Sequence, residues 1–194
     1  MKTINTYINE AFRLRDDTRF KNKRRPESFE ELRKLLRDKY LNDSKHLDCR
    51  DIDVSGVYES YDYDSMTGLF QGFNDTHTID VTGWNIKQFD NLAQCFKDCV
   101  HLRQIKGLNT WDIRNDSITD MSAMFENCRE LHDVGDISVW DVTDILGMTH
   151  MFKGCRHLTL TGTGDISKWQ KSISRDCSVD GMFDDSLIDL PEFL

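Results

Sequence analysis

Phenylalanine recurs at Phe70, Phe96, Phe125, Phe152 and Phe183, at spacings of 26, 29, 27 and 31 residues. A period of that length confines the chain to repeat architectures. A unit so short cannot bury its apolar face alone and must stack on its neighbours. The residue before each Phe is Leu69, Cys95, Met124, Met151 or Met182. Four before it stand Met66, Leu92, Met121, Met148 and Val179, and three after it Phe73, Cys99, Cys128, Cys155 and Ser186. In the middle units Leu102, Leu131 and Leu158 follow six residues after the Phe. Offsets of −4, −1, 0 and +3 share one face of a helix, so each unit is expected to hold about two helical turns.

Tryptophan sets a second period, with Trp84, Trp111, Trp140 and Trp169 at spacings of 27, 29 and 29. Val81, Leu108, Ile137 and Ile166 lie three residues earlier; Ile86, Ile113, Val142 and the off-pattern Lys171 lie two later. Asp51-Ile52-Asp53-Val54 fits the same frame, with Ile52 in the Trp slot and Cys49 three before it. Apolar and polar positions alternate here as in a short strand. The expected fold is therefore α/β: a short right-handed β/α solenoid of about five coils, its parallel strands about 4.8 Å apart. The end coils are imperfect, with Lys171 in an apolar slot and Asp189 where Leu is expected. Exposed ends of such a stack invite edge pairing. An α-helical N-terminal cap and the segment 187–194 are expected to cover them.

Residues 1–46 read as a helical head and residues 47–194 as the repeat body. Ile4, Tyr7, Ile8, Ala11 and Phe12 share helical spacing over residues 3–14. Ser28 followed by Glu31 has the form of a capping box, and Phe29, Leu32, Leu35, Leu36 and Tyr40 continue it as an apolar stripe. Between the helices runs a basic loop with Arg19, Lys21, Lys23, Arg24 and Arg25. It could contact nucleic acid or an acidic partner; the plainer expectation is a solvated loop, or one paired with the acidic body. The charge is asymmetric. Residues 1–50 hold 14 Lys+Arg against 9 Asp+Glu, and residues 51–194 hold 11 against 25. Phosphate contact needs Lys and Arg, so the body is not expected to bind nucleic acid.

The segments Ile118-Thr119-Asp120-Met121-Ser122-Ala123-Met124-Phe125-Glu126-Asn127-Cys128 and Asp136-Ile137-Ser138-Val139-Trp140-Asp141-Val142 resemble the BspA-like leucine-rich-repeat family of bacterial surface proteins. The resemblance covers about residues 47–186 and is strongest in the third and fourth units. It implies a leucine-rich-repeat-like solenoid, curved or twisted, that binds proteins and performs no catalysis. Many members are secreted or lipid-anchored, whereas this N-terminus has no continuous apolar run of the secretory kind. Short relatives with a similar Met1-Lys2-Thr3-Ile4-Asn5 start and a helical head are phage-encoded, which implies an intracellular phage or phage-derived protein.

Candidate chemistry is sparse. Cys99, Cys128 and Cys155 occupy one repeat slot and read as a ladder of small buried thiols. No short Cys-x2-Cys spacing is present, so neither metal nor cofactor is expected. Thiols without a pairing pattern point to a reducing, cytoplasmic compartment. His46, His77, His101, His132, His150 and His157 read as surface loop residues, with His101 and His157 in one slot. Four stacked indoles are core packing if buried and a binding stripe if exposed. Asp53, Asn85, Asp112 and Asp141 share a slot, where they either accept backbone amides at a turn or form an acidic face. No apolar run is long enough to span a membrane. The expected function is a non-enzymatic protein-binding module contacting one protein partner through Asn85, Asp112, Arg114 and Asp141. The alternative is a structural or packaged component of a virion or other assembly, docked through the head.

Overall fold

In a computed structural model that describes residues 23–57, 65–113, 118–188 and 190, Ser28 starts helix α1 (Phe29–Asn42). The Ser28 hydroxyl accepts the Glu31 N–H at 3.2 Å. The Glu31 carboxylate accepts the Glu27 N–H at 2.9 Å, one residue ahead of the cap. Phe29, Leu32 and Leu36 are buried. Arg33 lies over the Phe29 ring and donates to the Thr67 carbonyl at 3.1 Å, tying α1 to the first Phe-bearing unit. Losing an N-cap hydroxyl leaves a helix donor unsatisfied, so Ser28→Ala is expected to cost about 1 kcal/mol in urea unfolding. Ser28→Asp is expected to leave stability near wild type. The helix expected over residues 3–14, and Arg19, Lys21 and Arg114, lie outside the described residues, as does most of the segment 187–194.

Each repeat unit has three sides. On one side β1 (His46–Asp48), β2 (Thr78–Asp80) and β3 (Gln104–Lys106) form a parallel sheet in that order. Leu47, Ile79 and Ile105 are in register and buried. A single bridge, Gln104 to Asp133, continues the pairing beyond β3. On the second side lie the Phe segments. On the third lie the Trp residues, of which Trp111, Trp140 and Trp169 follow or sit within short 3-10 turns at Leu108–Thr110, Ile137–Val139 and Ile166–Lys171.

The expected right-handed β/α solenoid of about five coils does not form. Among the described residues, regular strand is confined to three segments of three residues, and the Phe segments are turns, not helices. The reason lies two residues to either side of each Phe. Gly68, Gln94, Ala123, His150 and Gly181 precede it at positive φ; Gly72, Asp98, Asn127, Gly154 and Asp185 follow it at positive φ. A right-handed helix cannot run through such residues. The chain turns tightly instead: Cys95 N–H bonds to Leu92 O, Lys97 to Gln94 O and Cys99 to Phe96 O. Alternate amides then point at the next unit. Leu92, Gln94, Phe96 and Asp98 donate to Asp120, Ser122, Met124 and Glu126 at 2.8–2.9 Å. The only α-helix described beyond α1 is α2 (Leu160–Thr163), a single turn. Among the described residues no helix is long and apolar enough to cross a membrane.

The core is aromatic. Phe70, Phe96, Phe125, Phe152 and Phe183 stack face to face, with neighbouring centroids 5.0–5.8 Å apart and planes within 11°. Stacking of this kind adds to the gain from burial. All four Trp residues are buried, at most 4% exposed. The indole N–H groups of Trp84 and Trp140 reach back one unit, to Cys49 O at 2.9 Å and Leu108 O at 3.0 Å. The Trp set is therefore core packing and not a binding stripe.

Candidate protein-binding surface

Successive residues of a strand face opposite ways. With Leu47, Ile79 and Ile105 inward, the flanking residues face outward. Strand register sets His46, Thr78 and Gln104 in one row, and Asp48, Asp80 and Lys106 in another. Both rows are held from within. His46 Nδ1 and Thr78 Oγ1 are 2.9 Å apart, and Gln104 Nε2 donates to Asp133 Oδ2 at 2.6 Å. Arg50 pairs with Asp48 at 2.6 Å and reaches Asp80 at 3.6 Å. Its hydrogen bonds hold the Asp48 carboxyl down at about 2. The result is a polar face most of whose side chains are already held by neighbours. The sequence signal for it is a polar–apolar–polar triplet centred nine residues after Phe70 and Phe96, too short to stand out from strand propensity alone.

The residues expected to bind a partner lie on the Trp side, one per unit. Asn85 Oδ1 accepts the Lys87 N–H at 3.3 Å. Asp141 Oδ1 accepts both the N–H and the hydroxyl of Thr143, at 3.1 and 2.6 Å. Asp53, 5% exposed, accepts the Ser55 N–H at 3.0 Å. The Lys87 ammonium sits 3.3 Å from Asp112. Of the two roles open for this slot, capping a turn amide is the one adopted by Asp53, Asn85 and Asp141. The described part of the basic loop is docked on the first unit. Arg24 pairs with Asp51 at 3.7 Å and Arg25 with Asp53 at 3.8 Å. Arg24 also bonds through its backbone to Asp51 and Asp53, and Lys23 lies just before this bridge, half-buried.

The thiol slot is buried. Cys99, Cys128 and Cys155 donate to the carbonyls of Phe70, Phe96 and Phe125 at 3.0–3.1 Å. Burial pushes their thiols up, Cys99 to about 12, and does the same to Cys49 and Cys95. The thiolate is the reacting species, so the folded chain is expected to react with at most one equivalent of a thiol reagent, at the partly exposed Cys177. Denaturant should release the other five. Rapid native labelling of more than one thiol would show that the ladder is open to solvent. Among the described residues, no three His, Cys, Asp or Glu side chains gather as a metal set.

One protein-family model matches the chain over residues 64–188, well over half its length; the family is described as Mycoplasma protein of unknown function, DUF285. No curated protein and no solved structure matches.

Proposed function

The chain belongs to the DUF285 family, and we propose on that footing that it is a non-enzymatic protein-binding repeat module that docks its partner on the outward face of β1–β3. The observation that carries this reading is the register of the outward rows. His46, Thr78 and Gln104 stand on adjacent parallel strands over a buried core, all three already hydrogen-bonded to neighbours. Contacts ordered in advance lose little side-chain entropy on association. Burial of five of the six thiols removes them as candidate nucleophiles. Asn85, Asp112 and Asp141 form a flank of the same module, where the two carboxylates would steer a basic region of the partner. Kinship with the BspA-like surface repeats is part of the proposal and rests on segments such as Asp136–Val142. The family match lends a phage origin no support.

The test is capture of a partner from nuclease-treated lysate, followed by two variants. Thr78→Arg with Gln104→Arg crowds the sheet face and is expected to weaken binding at least about tenfold. Asp112→Lys with Asp141→Lys is expected to change mainly the salt dependence. A partner bound equally well by both variants would overturn the proposal. Recovery of only the structural proteins of one particle would replace it with the assembly reading.

A further inference from the structure

The corner between the Phe turns and the sheet gathers most of the histidines and a row of arginines. Lys45, His77, Arg103 and His132 form one column in consecutive units: His77 N–H bonds to Lys45 O, Arg103 N–H to His77 O, and His132 N–H to Arg103 O. Beside it run His101, Arg129, Arg156 and His157, with His157 Nδ1 2.7 Å from the Arg129 carbonyl. Five of the six histidines lie along this edge, His46 among them, its ring 6.4 Å from that of His77. Three of the 11 Lys and Arg residues of positions 51–194 lie there too, all of them Arg and all exposed. Four carboxylates interrupt the edge, and all are engaged. Asp43 accepts the Lys45 and His46 N–H groups at 3.0 and 3.1 Å, and Asp133, next to His132, accepts from Gln104. Glu130 is 2.8 Å from His101 Nδ1 and accepts from Arg103 Nε at 2.9 Å. Asp75 accepts from the Tyr40 hydroxyl at 3.3 Å and lies 3.9 Å from Lys45.

We propose that this edge docks a short acidic segment of a protein partner, and that it does so more tightly as the pH falls. The inference rests on the protein-binding reading above and names the chemistry of the partner. Guanidinium groups match carboxylates in geometry as well as charge. A nucleic acid fits less well. A long polyphosphate would overrun the edge onto a body with 25 acidic residues. The segments 100–103, 129–132 and 156–159 also hold no Phe, Tyr or Trp on which a base could stack.

The sign of the pH effect follows from His77. Burial, then Arg103 and Lys45, hold its imidazole below the ordinary range, with His46 adding and Glu130 opposing. Its neutral form is therefore favoured. A carboxylate brought beside it favours the imidazolium, so the complex takes up protons that the free chain does not. Binding strengthens as pH falls through the imidazole range. Glu130, held at about 2 by His101 and Arg103, stays ionised throughout and does not contribute to the change.

The full chain is titrated with a fluorescently labelled oligo-glutamate peptide at about pH 5.5 and about pH 7.5, with anisotropy as readout. Wild type is expected to bind about tenfold more tightly at the lower pH. His77→Gln, His101→Gln and His132→Gln together should remove that difference. Arg103→Gln, Arg129→Gln and Arg156→Gln together should weaken binding at both pH values. Circular dichroism checks that both variants stay folded, and single substitutions replace any that does not. The proposal is overturned by a wild type that binds the peptide at neither pH, or by a histidine variant that keeps the full pH dependence. It is also overturned by tighter binding of a single-stranded oligonucleotide, or of phosphatidylserine vesicles, through the same residues. If lysate capture survives the edge variants but not Thr78→Arg with Gln104→Arg, this inference fails and the protein-binding reading stands.

Discussion

Phe125→Ala is expected to lower stability by about 3–5 kcal/mol. Phe125 is fully buried, with Phe96 at 5.6 Å on one side and Phe152 at 5.4 Å on the other. Removing the ring opens a cavity in the middle of the stack. Its walls are side chains whose backbones are bonded to the next unit, Phe125 itself to Met151 O at 2.9 Å, so they cannot collapse inward. Both neighbouring rings also lose a stacking partner. Folded domains are stable by only about 5–15 kcal/mol, so this loss brings the chain close to unfolding. Urea unfolding measures it. Phe183→Ala, at the half-buried end of the stack, should cost clearly less. Equal losses at the two positions would mean that the stack does not carry the core.

Gly107→Val should be comparably severe for a different reason. Gly107 follows β3 at φ +98°, where a side chain is strained. A Cβ there would lie 2.5 Å from Thr82 N, 2.6 Å from Thr82 Cα and 2.8 Å from Val81 C. All three are backbone atoms of the neighbouring unit and cannot rotate away. The unit pairing beside them, Val81 N–H to Lys106 O at 3.0 Å, must open to admit the side chain. A loss above about 3 kcal/mol is expected. Gly72 separates the two causes. It has φ +87°, but a Cβ added there would meet nothing within 4 Å, so Gly72→Ala should cost only the backbone strain, about 1–2 kcal/mol. Matching melting temperatures for Gly107→Ala and Gly72→Ala would show that the units approach less closely than the structure has them.

Much of what positions the candidate surface could be read before folding. The Phe and Trp periods named most of the buried residues, with Phe73, Val179 and Phe183 only partly buried, and the Ser28–Glu31 pair marked the start of α1. The outward rows of β1–β3 and the histidine–arginine edge were harder to see. Each contributes one or two residues per unit, and only stacking brings them together. His77, Arg103 and His132 are 26 and 29 residues apart in sequence yet joined by consecutive backbone hydrogen bonds.

The Phe segments show where the division falls. Apolar offsets of −4, −1, 0 and +3 determine that one side of the segment is buried, and a helix and a run of tight turns satisfy that pattern equally. Gly, Asn or Asp at seven of the ten positions flanking Phe is the signal that favours turns, since these residues enter the left-handed region most readily. Gln94 and Ala123 have no such preference, and His150 only part of it. They hold positive φ because the neighbouring unit takes their N–H groups, at Ser122 O, Thr149 O and Asp180 O. Sequence alone thus determined the period, the buried set and the first helix, because burial depends on spacing and on side-chain type. Tertiary structure decided the backbone path and the exposed surfaces, because a left-handed residue without its own preference is stable only where the next unit accepts its amide.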